Sequence, residues 1–208
     1  MRSLLLKSFG QPLIVATGHS SPVGACHTSM DTSNTADVTL DRSALPEGFW
    51  KVDPERSEIG FAVKSMGLIT VRGVFHEYAG SLGVREGGAD GELTIEAASL
   101  DTRNKRRDKH LRSSDFFDVE RHPRIVFTAT AVTARDGGVT VAGDLVIGST
   151  RLRLELPVNV EPSAGGAVRL EGRTTVPRAA AGLDWNWLGM VGRDATLHAR
   201  LVLERTTA

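Results

Sequence analysis

Residues 151–158 read RLRLELPV. Leu152, Leu154, Leu156 and Val158 recur every second position, with Arg151, Arg153 and Glu155 between them. A period of two sends apolar side chains to one face and charged ones to the other, which predicts a half-buried β-strand. The same alternation returns in SEIGFAVKSM (57–66), ELTIEA (92–97), RIVFTA (124–129), VTVAGDLVI (139–147), AVRLEG (167–172) and TLHARLVL (196–203). Glycine-rich punctuation separates these runs, as in REGGADG (85–91), RDGG (135–138) and EPSAGG (161–166). Such turns favour antiparallel hairpins over crossover helices.

About eight strands are expected between residue 46 and the C-terminus, which makes the chain all-β and points to a closed barrel or a sandwich. Closure removes exposed sheet edges, and an eight-stranded barrel is just wide enough to hold one small ligand or to be filled by its own side chains. Residues 46–208 are read as one domain. Residues 1–45 are read as a flexible extension, because HTSMDTSNTADVTLDRS (27–43) is too rich in Ser, Thr, Asp and Asn to bury a core.

Composition narrows the function classes. Among 208 residues, 25 Lys and Arg balance 25 Asp and Glu. That balance speaks against a nucleic-acid binder, whose phosphate contacts usually require a basic excess. The single cysteine, Cys26, allows no internal disulfide, and with His19 and His27 it matches no zinc spacing, so neither metal nor cofactor is expected. No apolar window reaches the length of a membrane span, which predicts no stable membrane insertion. Lys7, Gly10, Gln11 and Pro12 interrupt the opening LLLKSFGQPLIVA (4–16), so no export signal is read and a cytoplasmic location is expected.

One segment departs from the alternation. NKRRDKHLRSSDFFDVERHPRIVF (104–127) opens on charge, passes through Phe116 and Phe117, and ends in a strand. From Arg103 to Arg112 six Lys or Arg face one acid, Asp108. A short helix is expected near 105–112, with a second turn around SDFFD. Two accounts of its charge compete. It is a solvated loop whose Leu111, Phe116, Phe117 and Val119 plug one barrel end, or its cations stand at a barrel mouth to receive an acidic head group. His76 and Glu77 are expected as neighbours on a strand, facing opposite ways. His198, between Leu197 and Ala199, should point outward. Trp185 and Trp187, two apart among glycines, share a face if that stretch is extended. No nucleophile elbow, P-loop, zinc helix or dinucleotide fingerprint occurs.

Across roughly residues 49–205 the chain resembles the YceI-like family of polyisoprenoid-binding proteins. The resemblance rests on WKVDPERSEIGFAVKSMGLITVRGVFHEYAGSL (50–82), SLDTRNKRRDKHLRSSDFFDVERHPRIVFTAT (99–130), VTVAGDLVIGSTRLRLELPV (139–158) and the later PRAAAGLDWNW and VGRDATLHARLVLE (177–187, 191–204). Its most specific element is Arg107, Asp108, His110, Leu111 and Arg112, then Asp115, Phe116, Phe117 and Asp118, then Pro123 and Phe127. The resemblance implies an extended eight-stranded antiparallel lipocalin-like barrel, often a homodimer, that takes the chain of an isoprenoid or similar amphiphile. Three departures stand out: Ser65 replaces a usual histidine, Ala180 and Ala181 replace a usual acid and aromatic, and GDLVIGSTR (143–151) is about one residue short.

Residues and resemblance together give an expected site. Ile59, Phe61, Val63, Phe75, Phe127, Val141, Leu145, Leu154 and Leu170, with Trp185 and Trp187, would line an apolar tail site. Arg107, Lys109, His110, Arg112 and Arg178 would hold the head group. The expected function is non-catalytic binding, carriage or sequestration of a polyisoprenoid lipid, an isoprenoid quinone or another long apolar small molecule. Two alternatives are an enzyme acting on such a lipid through His110 or Asp108, and a filled barrel serving as an interaction module.

Overall fold

The computed structural model describes residues 45–183 and 191–206. The expected N-terminal extension, apart from Leu45, lies outside the described residues, as do Trp185 and Trp187. The described elements are β1 (Gly48–Ser65), β2 (Ile69–Phe75), β3 (Tyr78–Arg85), β4 (Gly88–Glu96), β5 (Leu100–Asp101), α1 (Lys105–Arg112), β6 (Arg124–Arg135), β7 (Gly138–Ile147), β8 (Thr150–Pro162), β9 (Val168–Pro177) and β10 (Val191–Arg205).

Eight of these strands close into an antiparallel barrel in the order β10-β9-β8-β7-β6-β4-β3-β1, and β1 pairs back onto β10. The two additional strands explain themselves through β1. Its edge away from β10 is shared: Gly48–Lys51 pair with β3, and Ile59–Ser65 pair with β2. β2 and β3 thus behave as one long strand broken at His76 and Glu77, and the tiny β5 extends the sheet outward from β2. The sequence from 69 to 85 is interrupted by Gly73, Gly80 and Gly83, which is why no clean alternation marks it.

Pro54 shapes β1. A proline cannot donate to a ladder, and the pairing with β10 jumps from Asp53↔Val202 to Glu58↔Arg200. The Ser57 hydroxyl repairs the gap, donating to the Asp53 carbonyl at 2.6 Å and accepting from the Val202 N–H at 2.8 Å.

Strand registers give the barrel two unlike ends. The lower end gathers the β3–β4, β6–β7 and β8–β9 turns. There Leu45, Trp50, Val84, Val168 and Leu203 form a closed apolar plug, with Trp50 and Leu203 each 2% exposed. The Trp50 indole N–H donates to the Pro46 carbonyl at 3.1 Å, so the ring is buried without an orphaned donor. The upper end carries the β1–β2 and β7–β8 turns, α1, and 3-10 turns at Ala97–Ser99 and Ala179–Ala181. A second apolar cluster, including Ile59, Phe75, Leu100, Phe117 and Leu145, lies towards that end.

Candidate ligand-binding site

The barrel interior is hollow. A cavity of about 630 Å³ runs from the lower plug to the inner side of α1. A filled barrel would have no such space. All nine aliphatic and phenylalanine positions expected at the tail site line this cavity.

Two glycines shape its wall. Phe61 lies over Gly73, its partner across the β1–β2 ladder, and Phe127 lies over Gly143 on β7. A Cβ on either glycine would fall 2.5 Å from the ring above it. The missing side chains let both rings lie flat against the wall and leave the space between them open. Phe61 contacts Phe75 at 5.9 Å between centroids, and Phe75 meets Phe117 edge-on at 6.2 Å, so an aromatic chain leads up towards α1.

Helix α1 begins where the chain turns sharply out of β5. Arg103 adopts a left-handed φ of 62°, and its N–H is held by the Asp101 carboxylate at 2.6 Å. That backbone N–H, with His76 as a lesser partner, holds the Asp101 carboxyl below the usual carboxylate range. Asn104 then caps the helix, accepting from the Arg107 N–H at 3.1 Å.

The helix has two working faces, set by its 3.6-residue period. Asp108 and Arg112 face the strands behind. The buried Asp108 carboxylate accepts the N–H of Thr102 at 3.0 Å and also its hydroxyl, while Arg112 donates to the carbonyls of Ala98 and Leu100. The opposite face presents Arg106, Arg107 and His110 to the cavity. Arg107 is partly occupied, donating through Nε to the Thr102 hydroxyl at 2.7 Å and through Nη2 to its carbonyl at 2.8 Å.

Beyond the helix, His110 meets Phe116 edge-on at 5.3 Å, and the guanidinium of Arg178 stands 6.0 Å from the same ring. Arg178 is only 6% exposed and donates to the Gly192 carbonyl at 3.0 Å. Three of the five expected head-group residues, Arg107, His110 and Arg178, therefore meet at the upper end of the cavity. Lys109 is exposed and points elsewhere, and Arg112 is spent on backbone carbonyls; neither lines the cavity. Asn104 and Arg106 do line it and were not expected. Helical spacing was the available signal, since Arg106 and His110 are four apart and share a face.

Of the other candidates, His198 faces outward with its Nε2 3.5 Å from Glu58, and His76 lies 3.6 Å from Asp101. Ser65, at the position of a usual histidine, lines the cavity. Ala181 is buried beneath the upper end, where Gly182 sits against Thr150 with a left-handed φ of 73° and no room for a Cβ.

A family model, the YceI-like domain, matches residues 50–203. The chain belongs to the YceI-like family. Curated relatives are bacterial: a UPF0312 protein of Photorhabdus laumondii is 35% identical over 115 residues, 53% of this chain and 60% of that protein. A UPF0312 protein of Pseudomonas aeruginosa is 27% identical over 158 residues, 71% of this chain and 82% of its own length. The chain thus spans less than two thirds of the Photorhabdus relative it matches. Among solved structures, Burkholderia cenocepacia BcnA superimposes with a TM-score of 0.67 at 22% identity, covering 73% of this chain and 98% of BcnA. A polyisoprenoid binding domain from Saccharophagus degradans, implicated in plant cell wall breakdown, gives a TM-score of 0.63 at 15% identity, covering 76% and 98%. These two likenesses establish the barrel fold of this YceI-like chain.

Proposed function

We propose that this YceI-like barrel binds one polyisoprenoid lipid or isoprenoid quinone and carries or sequesters it without chemical change. The carrying observation is the one-ended cavity, apolar along its length and bounded by cations only at the top. If an engineered cavity of about 150 Å³ holds one benzene, then about 630 Å³ holds a chain of roughly 25 carbons. Burying that chain removes apolar surface from water at about 25 cal/mol per Å². Arg106, Arg107, His110, Asn104 and Arg178 offer donors where the head group would end, suited to a phosphate or a quinone oxygen. The non-catalytic reading is supported by Asp108, whose carboxylate is committed to Thr102 instead of facing the cavity.

Native mass spectrometry of protein purified from its own cells tests the proposal. A bound mass of a few hundred daltons that organic extraction releases as a prenyl lipid is the expected result. A clean unliganded species that also ignores added isoprenoid would refute it, and turnover of the added lipid would replace carriage with catalysis.

A further inference from the structure

The β1–β2 turn is out of character with the rest of the surface. Met66, Leu68 and Ile69 are 59%, 94% and 54% exposed, and they account for three of the four large apolar side chains exposed among the described residues. Three such residues within four positions of one turn are costly in water and mark an interaction site. The backbone adds a second anomaly. Met66 has a left-handed φ of 50°, followed by Gly67 at 71°, and the Leu68 N–H closes the turn on the Ser65 carbonyl at 3.3 Å. Asn or Gly is the usual occupant of such a position; a methionine there holds an apolar side chain out to solvent at the expense of backbone comfort.

The tip is joined to the cavity by the period of β2. Val71 and Phe75 line the cavity, and Ile69 lies on the same face one step beyond them. An apolar track therefore runs from the exposed tip over the rim and inside. Cations surround it. Within residues 64–72 the only charged side chains are Lys64 and Arg72, both exposed. Because β5 runs antiparallel beside β2, it delivers Arg103, Lys105 and Arg106 to the tip side of the barrel, all of them exposed. Of the nearby acids, Asp108 is buried against Thr102, Asp101 is held by the Arg103 N–H, and Asp194 on β10 is exposed beside the exposed Arg193, which leaves the cations in excess.

We propose that the β1–β2 tip is a membrane-docking element that seats the cavity mouth on an anionic bilayer. Met66, Leu68 and Ile69 enter the head-group region, while Lys64, Arg72, Arg103, Lys105 and Arg106 meet the lipid phosphates. A chain leaving the bilayer then follows Ile69 and Val71 into the barrel without crossing water. Docking holds whatever the cavity carries, so its test is separate from that of ligand binding.

The test is co-sedimentation of the full chain with vesicles of equal parts phosphatidylglycerol and phosphatidylcholine, beside vesicles of phosphatidylcholine alone. Wild type is expected to bind the mixed vesicles more tightly, with binding that weakens as salt rises. Replacing Met66→Ser, Leu68→Ser and Ile69→Thr together is expected to weaken binding about tenfold or more. Uptake of a free apolar fluorescent probe in vesicle-free buffer should not change in Leu68→Asp, whose side chain lies outside the cavity. Leu68→Asp alone, at a side chain that touches almost nothing, gives the same answer should the triple variant fold poorly. The proposal is overturned if wild type leaves both vesicles in the supernatant, if Leu68→Asp binds as wild type does, or if the tip instead mediates dimerisation without vesicles.

Discussion

Replacing Asp108 separates a structural from a chemical role for the most specific part of the sequence signature. Its carboxylate accepts both the N–H and the hydroxyl of Thr102, and the same hydroxyl oxygen accepts from Arg107. Asp108 and Thr102 are 6% and 5% exposed, so water does not replace a lost partner. Hydrogen bonds to a buried charge contribute about 1.5–3 kcal/mol each, and each stranded buried donor costs about 1–3 kcal/mol. Asp108→Ala removes the acceptor of two such bonds, which gives an expected loss of about 3–5 kcal/mol. For a domain of this size about 1 kcal/mol shifts Tm by roughly 2–4 °C, so a fall of roughly 10 °C is expected. Asp108→Asn keeps an oxygen aimed at Thr102 and should lose only about 1–2 kcal/mol. Guanidinium unfolding of both variants, with Thr102→Val and the double variant to close a cycle, measures the coupling directly. Should Asp108→Ala unfold within about 0.5 kcal/mol of wild type, the carboxylate is not a strut and the enzymatic alternative regains its acid.

Other consequences are quicker to check. Leu154→Trp projects into the cavity from β8 and should shorten the longest prenyl chain recovered by lipid extraction, leaving the far-ultraviolet circular dichroism unchanged. Gly143→Ala puts a Cβ 2.5 Å from the Phe127 ring and 2.6 Å from the Thr128 carbonyl; calorimetry should show a loss of about 1–3 kcal/mol, typical of overpacking. Burial, then Glu58 and Asp53, raise the Tyr78 hydroxyl above its ordinary value of 10.0. The folded state therefore binds more protons than the unfolded one above that value, so stability is full below about pH 10 and is lost as pH rises through the folded pKa. Tyr78→Phe should flatten that alkaline limb in denaturant titrations at successive pH values.

Legibility in the sequence followed periodicity. The runs at 139–147, 151–158 and 196–203 alternate cleanly because each strand faces an apolar interior on one side and water on the other, and all are strands. The stretch from 69 to 85 was not legible, because Gly73 and Gly80 stand where an inward or outward side chain would have marked the face, and because β2 and β3 share one edge of β1. The helix at Lys105–Arg112 emerged from its polarity, yet polarity alone could not distribute its cations. Arg107, Lys109 and Arg112 look alike in a string of letters. Only the carbonyls of Ala98 and Leu100, brought beneath the helix by β5, turn Arg112 into a staple.

The unlike ends of the barrel bear on how the molecule could work. At the bottom, Trp50 and Leu203 sit in a plug whose indole is satisfied by Pro46, so opening it would strand a buried donor and expose two large apolar side chains. At the top, closure is made by different means: a short helix tied through Thr102, a 3-10 turn, and the upper reach of β8, whose described pairing with β9 covers only Val158–Pro162. Local opening draws on the parts with the fewest cooperative bonds. The proposed ligand would therefore enter and leave through the upper end, where the cations of α1 stand, with its head group the last part in and the first part out.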